Sequence, residues 1–232
     1  AATPLLLFVL ALFAASARAD EPASQQSAQP FTADGIPDGW VVTEWSDLSQ
    51  PAPEGSVWRV TDGVLHGSTP RGTWLVSEAE YGDFVLTFEW KLGPRGNGGV
   101  ALRSPIQGDP AFDGLELQMV DPRYYPEEDQ AQPDELTGGL YRAVAPLQQV
   151  YRPDDWNSYE ITCRGPHVKV ILNGVLIQDL NLDEQTKQPK RHDGTLAPPL
   201  KDRPRRGHIG FQELSRGGTQ VQIRGVRLQA LD

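Results

Sequence analysis

Apolar residues recur at every second position in several segments of the chain, and no segment of useful length after Phe31 repeats them with a helical period. The longest series runs from Phe84 to Leu92, with polar residues at most of the intervening positions. Alternation of this kind predicts extended strands with one face in a core, because successive side chains of a strand point to opposite faces. Further series are Tyr159, Ile161 and Cys163; Val168, Val170 and Leu172; Val221 and Ile223; and Val226 and Leu228.

Two dipeptides between these apolar runs are turn signals. Asn173-Gly174 and Asp62-Gly63 each separate two short apolar segments. Both predict two-residue hairpin turns, because such turns need positive φ angles that Asn, Asp and Gly tolerate. The apolar positions also change parity at Arg224-Gly225, which predicts a β-bulge there.

Together these signals predict an all-β fold, an antiparallel β-sandwich of ten or more short strands, with an open barrel as the alternative. A single domain from residue 31 to residue 232 is expected, with no internal linker. Two polar segments, 121–135 and about 181–206, have no strand pattern and are predicted to be long loops. Long loops in compact domains tend to be functional or mobile.

The amino-terminal segment has the pattern of an export signal. An apolar run from Leu5 to Phe13 is followed by Ala17-Arg18-Ala19, which predicts a signal peptide over residues 1–19; a buried core helix is the alternative. The run is too short to span a bilayer. Residues 20–30 are polar and are expected to form a flexible tether. We therefore expect an exported protein, periplasmic or extracellular, with no membrane association after cleavage.

Composition excludes several classes of protein. The 232 residues include 31 acidic and 21 basic side chains, for a formal net charge of −10, which argues against nucleic-acid binding. The apolar content is too high for a disordered chain. The single cysteine, Cys163, excludes an internal disulfide and a Cys-based zinc module, and its place on an apolar strand face predicts an inert core thiol.

A predicted strand in the middle of the chain has one polar face. Glu116 and Gln118 alternate with Leu117 and Met119, so the two polar side chains share a face. That face is either solvated or part of a ligand cleft. Other polar residues on neighbouring predicted strands could converge on it: Asn97, Arg103, Tyr141 and Gln212. Ligand pockets generally combine a few such polar groups with aromatic rings, and amides, carboxylates and aromatics suit sugars.

Metal and nucleophile motifs are weak. The four histidines are widely spaced, and the zinc motif H-E-x-x-H does not occur. The acidic residues of loop 121–135 could hold Ca²⁺, although the loop has no EF-hand spacing and could equally be a solvated charged loop. A Ser-His-Asp triad cannot be inferred, because no G-x-S-x-G occurs. The cofactor therefore stays open, with Ca²⁺ as the candidate.

Eight short segments, in order, carry a resemblance to a known family. They are Trp58-x5-Val64, Tyr81-Gly82-Asp83-Phe84-x-Leu86, Asn97-Gly98-Gly99-Val100-x-Leu102-Arg103, Glu116-x-Gln118-x-x-Asp121, Thr137-Gly138-Gly139-Leu140-Tyr141, Trp156-Asn157, Asn173-Gly174 and Gly207-x-Ile209-Gly210-Phe211-Gln212. Between about Phe31 and Leu231 the chain thereby resembles the 3-keto-disaccharide hydrolase domain family, whose fold is the concanavalin A-like jelly roll. The resemblance implies a secreted or periplasmic protein that acts on oxidised glycosides.

The chain departs from the family pattern at two positions. Gly98 stands where the family commonly has Ser between Asn and Gly, and Leu214 stands where the family often has His. The second departure bears on activity.

The resemblance favours cleavage of 3-keto-glycosides and 3-keto-disaccharides. In that reaction a base removes the C2 proton, the C1 group is eliminated through an enolate, and water adds. The catalytic candidates are Glu116 as the base and Arg103 as the enolate stabiliser. The substrate-binding candidates are Asn97, Gln118, Tyr141, Gln212 and Asp121.

Two other functions stay open. Glu116, Gln118 and Asp121 have the spacing of the E-x-D-x-x-E motif of jelly-roll glucanases, which are retaining glycoside hydrolases. A non-catalytic, lectin-like sugar-binding module or a protein-interaction module is the other alternative, because fold does not determine function. Leu214 favours such a module.

Overall fold

A computed structural model describes residues 27–127, 130–218 and 221–232. These residues form twelve strands and one short α-helix, α1 (Pro110–Asp113). The strands are β1 (Trp40–Glu44), β2 (Arg59–Thr61), β3 (Val64–His66), β4 (Thr73–Tyr81), β5 (Phe84–Leu92), β6 (Asn97–Ser104), β7 (Leu115–Val120), β8 (Asn157–Arg164), β9 (His167–Leu172), β10 (Val175–Asn181), β11 (Gly207–Glu213) and β12 (Val221–Ala230). Short 3₁₀ turns cover Pro122–Tyr124, Pro133–Glu135, Leu182–Glu184 and Leu200–Asp202.

The strands form two antiparallel sheets that pack face to face. The order is β1-β4-β11-β6-β7 in the five-stranded sheet and β10-β9-β8-β5-β12-β3-β2 in the seven-stranded sheet. Six of the ten strand pairs join strands that are not consecutive in the chain, as in a jelly roll. The predicted all-β jelly-roll sandwich is confirmed, and the open-barrel alternative is wrong.

The core between the sheets contains the alternating apolar residues that the sequence indicated. Along β5, every second side chain from Phe84 to Leu92 is buried. The ring of Trp90 stacks on Tyr159 of β8 with ring centroids 5.3 Å apart. Phe88 makes an edge-to-face contact with Phe211, which belongs to the opposite sheet, with centroids 5.3 Å apart. Burial of such a side chain contributes about 1.5–3 kcal/mol, so this cluster is a main source of stability.

Both predicted hairpins and the predicted bulge are present. Asp62 and Gly63 connect β2 to β3 with φ angles of 52° and 72°, and Asn173 and Gly174 connect β9 to β10 with 53° and 80°. The register of β12 against β5 shifts between Arg224 and Arg227, so the change of apolar parity corresponds to a bulge.

Three strands of the five-stranded sheet are buried on both faces. Every residue of β6, β7 and β11 is buried, including Glu116 at 4% exposure and Gln118 at 2%. The alternative that Glu116 and Gln118 lie on an ordinary solvated face is therefore wrong. Loops cover this outer face, and the space between loops and sheet forms the candidate site.

The amino-terminal predictions are only partly within reach of the structure. The signal peptide and residues 20–26 of the expected tether lie outside the described residues. Ala28, within that expected tether, pairs through its backbone with Leu228 at 2.8 and 2.9 Å, so the chain is attached to the seven-stranded sheet before Phe31. Within the described ranges, no helix is long and apolar enough to cross a membrane.

Cys163 lies fully buried in the core, as expected. Burial raises the pKa of its thiol to about 12. A thiol in that environment stays protonated and unreactive.

Candidate functional site

The floor of the site is the outer face of the five-stranded sheet, and it is made of very small residues. Strand register pairs Ala101 with Glu116 and Gly99 with Gln118 on one side, and Ala101 with Gly210 on the other. A Cβ atom on Gly99 would collide with Glu116 Oε1. The small floor residues therefore leave room for long polar side chains from β7 and β11 to lie across the sheet.

Four of the predicted site residues meet on this floor, and Tyr141 joins them from a neighbouring turn. Asn97, Glu116, Gln118 and Gln212 all line one cavity of about 450 Å³. The Tyr141 N–H donates to the carbonyl oxygen of Glu116 at 3.0 Å, which fixes this ring next to β7. Alternation along β6, β7 and β11 explains the convergence, since all four strand residues fall on the outer face of their strands.

The walls of the cavity come from segments far apart in sequence. The wall residues Tyr124, Tyr125 and Glu135 come from loop 121–135, and His192 comes from loop 181–206. Long loops tend to be functional or mobile, and both of these loops contribute to the cavity. The remaining lining residues are Glu44, Trp45, Pro53, Arg71, Gly72, Asp109, Ala111, Arg142 and Leu214. A volume of 450 Å³ with aromatic walls and a polar floor has the character of a small-ligand pocket.

Asp109 supplies a second buried carboxyl group, which sequence reasoning missed. It is the N-cap of α1, and its Oδ1 accepts the Ala111 N–H at 3.0 Å. Burial raises the pKa of Asp109 to about 7, although the hydrogen bond from Ala111 opposes this rise. The motif Asp109-Pro110 at a helix start was the available signal, but a capping residue alone does not indicate a pocket.

Glu116 and Asp109 both have raised pKa values. Burial raises the pKa of Glu116 well above its usual range, and the charge of Asp109 raises it further. Glu116 therefore keeps its proton to a higher pH than an exposed glutamate does, and the pKa of Asp109 lies near neutral pH. Two buried carboxyl groups with raised pKa values in one cavity are suited to acid and base roles in one reaction.

A hydrogen-bond donor group lies beside this pair. Burial raises the pKa of Tyr141 far above its ordinary value, so its hydroxyl stays protonated at neutral pH. The Arg142 guanidinium lies 5.3 Å from the centroid of the Tyr141 ring and donates through Nε to Glu135 Oε1 at 2.7 Å. This ion pair fixes Arg142 at the cavity wall.

The amide groups of the floor differ in how far they are satisfied within the protein. Gln118 Oε1 accepts the Met119 N–H at 3.0 Å. Asn97 Oδ1 is buried without a hydrogen-bond partner among the described residues. An unpaired buried acceptor costs about 1–3 kcal/mol, so a ligand donor at Asn97 would recover that energy.

His192 forms part of an aromatic wall opposite the tyrosines of loop 121–135. Its ring centroid lies 5.3 Å from Phe112, 5.9 Å from Trp45 and 6.0 Å from Tyr141. Burial lowers the pKa of His192, and the charge of Arg142 lowers it further, so the ring is neutral at pH 7.

Leu214 lies in the cavity wall, where the family often has histidine. Its carbonyl oxygen accepts from Arg71 Nη2 at 2.6 Å and from Nε at 3.1 Å, and Arg71 Nη2 also donates to the Tyr124 hydroxyl at 3.3 Å. Arg71 thus joins two parts of the wall.

The structure places Arg103 away from the cavity, contrary to the role suggested for it. Arg103 has a φ of 52° at a register irregularity between β6 and β11, and this change re-aims its side chain. Its guanidinium donates to Gly82 O at 2.6 Å, Gly165 O at 2.7 Å and Asp83 Oδ1 at 3.0 Å. Arg103 therefore ties the ends of strands together and does not reach the site.

Asp121, expected among the substrate-binding residues, is also held elsewhere. Its carboxylate accepts from Arg123 Nε at 2.7 Å and from the Tyr151 hydroxyl at 3.0 Å. The side chain is fully buried and is not part of the cavity lining. Asp121 fixes the start of loop 121–135, and the segment from Glu116 to Asp121 brings one carboxyl group to the cavity instead of two.

The acidic residues of loop 121–135 are the candidate ligands for Ca²⁺. Within the described ranges, which omit two residues of loop 121–135, no group of three or more His, Cys, Asp or Glu side chains is arranged to hold a metal ion. The Ca²⁺ candidate gains no support from this loop.

Comparison with known proteins identifies the sequence family of the chain. Residues 33–229 match the sequence family described as the 3-keto-alpha-glucoside-1,2-lyase-like domain. The chain belongs to this family. The match confirms the family resemblance that the sequence indicated, and it covers nearly all of the residues that the structure describes. A comparison with proteins of curated function gives no significant match.

Solved structures show the same fold. Two provisionally assigned glycosyl hydrolases from Parabacteroides distasonis are similar to this lyase-like domain. One is 26% identical, with a TM-score of 0.64, and covers 82% of this chain and 100% of its own; the other is 22% identical, with a TM-score of 0.69, and covers 90% and 95%. A laminarinase from Rhodothermus marinus is 14% identical, with a TM-score of 0.52, and covers 87% and 95%. The chain therefore has the jelly-roll fold of these proteins and belongs to the lyase-like family.

Proposed function

We propose that this protein cleaves 3-keto-glycosides by removal of the C2 proton, elimination of the C1 substituent and addition of water. One observation carries the proposal. Two buried carboxyl groups with raised pKa values, Asp109 and Glu116, line the same aromatic-walled cavity. The family to which the chain belongs supports a 3-keto-glycoside as the substrate class.

The chemistry needs a base and an acid. The C3 ketone acidifies the C2–H bond, so a base can take that proton and leave an enolate. The electron pair then forms the C1–C2 double bond as the C1–O bond breaks, and an acid protonates the departing oxygen. Water next adds across the double bond, with its hydroxyl on C1 and a proton on C2. The sum is hydrolysis, with each catalytic group returned to its starting state.

We assign the two roles from the burial and the pKa values of the carboxyl groups. Asp109 is about half ionised near pH 7, so it is the base that removes the C2 proton. Burial raises the pKa of Glu116 well above its usual range and so favours its protonated form, and we assign it the role of the acid that protonates the leaving oxygen. This assignment differs from the sequence expectation of Glu116 as the base, because alternation along a strand gives no information about desolvation. In the hydration step the two groups act in the reverse sense.

The enolate oxygen needs a donor, and Arg103 lies too far from the cavity to serve. The Tyr141 hydroxyl, with Arg142 beside its ring, takes this role instead. A positioned donor of this kind contributes about 10²–10³ in rate. Asn97, Gln118 and Gln212 would bind the sugar hydroxyls from the floor, a role consistent with the unpaired Asn97 oxygen.

The experiment is turnover of a 3-keto-disaccharide in D₂O. We expect release of both monosaccharides with one deuterium at C2 of the oxidised product, because proton abstraction exchanges that position. Glu116→Gln and Asp109→Asn should each lose more than a hundredfold of kcat while keeping the fold, in line with the 10²–10⁴ contributed by acid–base groups. The control is Asp34→Asn, at an exposed position away from the cavity lining.

Other outcomes would replace the proposal. Hydrolysis of an unoxidised β-glucan without deuterium at C2 would indicate retaining glycoside hydrolysis. Saturable binding of sugars with no product from either substrate would indicate a binding module.

A further inference from the structure

Loop 181–206 is attached to the short helix that carries Asp109. Arg191 Nη1 donates to Asp113 Oδ2 at 3.1 Å, and Nη2 donates to Oδ1 at 2.5 Å. Arg191 and Asp113 are both half-buried. A two-bond Arg–carboxylate contact fixes orientation as well as distance.

Asp113 in turn contacts Asp109. Its Oδ2 accepts the backbone N–H of Asp109 at 3.0 Å, while Asp109 Oδ1 accepts from Ala111. A continuous series of hydrogen bonds therefore runs from Arg191 through Asp113 to the backbone of Asp109.

The same loop grips the other end of the helix. Arg203 Nη1 donates to Ala111 O at 3.0 Å and to Gly114 O at 2.8 Å, and its Nε donates to Pro198 O at 3.0 Å. Helix α1 is a single turn, and such a turn is not stable by itself. Its position must come from contacts of this kind.

We propose that Arg191 is a positioning residue for Asp109: it orients Asp113 and neutralises its charge, and thereby keeps the Asp109 carboxylate at the cavity wall. The inference rests on the proposed function for the role of Asp109 as the base. Arg191 itself touches no reacting atom, since the cavity lining includes Asp109 and not Arg191.

The charges around Asp109 set the direction of the expected effects. Asp113 and Glu44 disfavour the ionised form, and Arg191 favours it. Glu116 on β7 and Arg203 on the loop are also coupled to Asp109. Removal of Arg191 should therefore raise the pKa of Asp109, and removal of the Asp113 charge should lower it. A merely structural role would move both variants in the same direction, because each breaks the same ion pair.

The experiment follows the Asp109 carboxyl carbon by ¹³C NMR from pH 4 to pH 9 in the ligand-free protein, with Asp109→Asn to assign the signal. We expect Arg191→Gln to raise the pKa of Asp109 by about one and Asp113→Asn to lower it by a similar amount. Arg191→Lys should restore most of the wild-type value. The matched control is Arg206→Gln, which removes an arginine of the same loop from its ion pair with Asp232.

Activity gives the second readout. With a 3-keto-disaccharide, Arg191→Gln should lower kcat at pH 7 about fivefold with KM changed less than about threefold, because the ionised fraction of Asp109 falls from about one half to about one tenth. At higher pH, kcat should recover part of this loss. An unchanged Asp109 titration in Arg191→Gln, or shifts of the same sign in both variants, would overturn the inference. If the wild type turns over no 3-keto-glycoside while the titrations shift as expected, the proposed function fails and the positioning of Asp109 by Arg191 stands.

Discussion

The carboxyl group of Glu116 lies over the α-carbon of Gly99 on the neighbouring strand, in the space that a Cβ atom at Gly99 would occupy. The strand register explains the contact. Gly99 pairs with Gln118 and Ala101 pairs with Glu116, and these are successive outward-facing pairs of β6 and β7. The absence of a side chain at Gly99 is therefore a requirement of the site. It allows a long acidic side chain to lie flat on the sheet, buried from solvent yet open to the cavity.

We expect Gly99→Ala to displace Glu116 while leaving the fold intact. The free energy of unfolding should fall by about 1 kcal/mol, because the end of a side chain can move more easily than backbone. Activity on a 3-keto-disaccharide should fall about a hundredfold, since misplacement by about 1 Å can cost that much. Kinetics and urea unfolding measure the two effects. In a Glu116→Ala background the stability cost of Gly99→Ala should disappear; persistence of the full cost there would contradict the contact.

The pH dependence of stability should report the buried carboxyl groups. Burial raises the pKa of Asp109 from 3.8 to about 7, so between these values the folded protein holds a proton that the unfolded chain has released. The free energy of unfolding must therefore fall as pH rises through this window, by up to about 4 kcal/mol from Asp109. Glu116 acts in the same direction.

Asp109→Asn removes that slope and keeps the Oδ1 acceptor for Ala111. Relative to the wild type, the variant should therefore become progressively more stable between about pH 4 and pH 7. Urea unfolding at four pH values measures the difference, with the exposed Asp34→Asn variant as the reference for loss of one charge. A difference in stability that does not change with pH would show that Asp109 is not desolvated.

The sequence predicted the floor of the site better than its walls. Alternation correctly placed Asn97, Glu116, Gln118 and Gln212 on outer strand faces, because parity is a local property of a strand. It failed for Arg103, where a bulge and a positive φ re-aim the side chain. Position 103 holds neither Gly nor Asn, so the sequence does not indicate the positive φ angle there.

The walls could not be predicted because they depend on long-range contacts. Asp109, Arg142 and His192 come from loops and a short turn, and only the packing of those loops on the sheet brings them to one cavity. Protonation states were equally hidden, because desolvation depends on that packing. For this reason the sequence places Glu116 at the site, whereas the proposed choice between base and acid depends on desolvation that only the fold defines.

Arg103 should be important for stability and unimportant for chemistry. Arg103→Ala breaks the ion pair of a buried guanidinium with the partly exposed Asp83 and removes the donor to two carbonyl oxygens, so the free energy of unfolding should fall by about 2–4 kcal/mol. At a temperature where the variant is folded, kcat should stay within about threefold of the wild type. Arg142→Ala provides the contrast in activity, because it removes the cation beside the Tyr141 ring and should lower kcat far more, although it also leaves the buried Glu135 carboxylate without its partner. A hundredfold loss of kcat in folded Arg103→Ala would return Arg103 to the catalytic candidates.

Tyr141→Phe tests the donor to the enolate oxygen. The ring lies against β7 through the backbone contact with Glu116, so Phe should occupy the same position without the hydroxyl. Because the hydroxyl would act only as charge develops on the enolate, kcat should fall about 10²–10³-fold while KM changes little. Tyr124→Phe is the matched control, since the Tyr124 hydroxyl accepts from Arg71 at the cavity wall and should affect KM more than kcat. Equal effects of the two variants on kcat would mean that Tyr141 contributes to the wall alone, and the enolate would then need Arg142 as its donor.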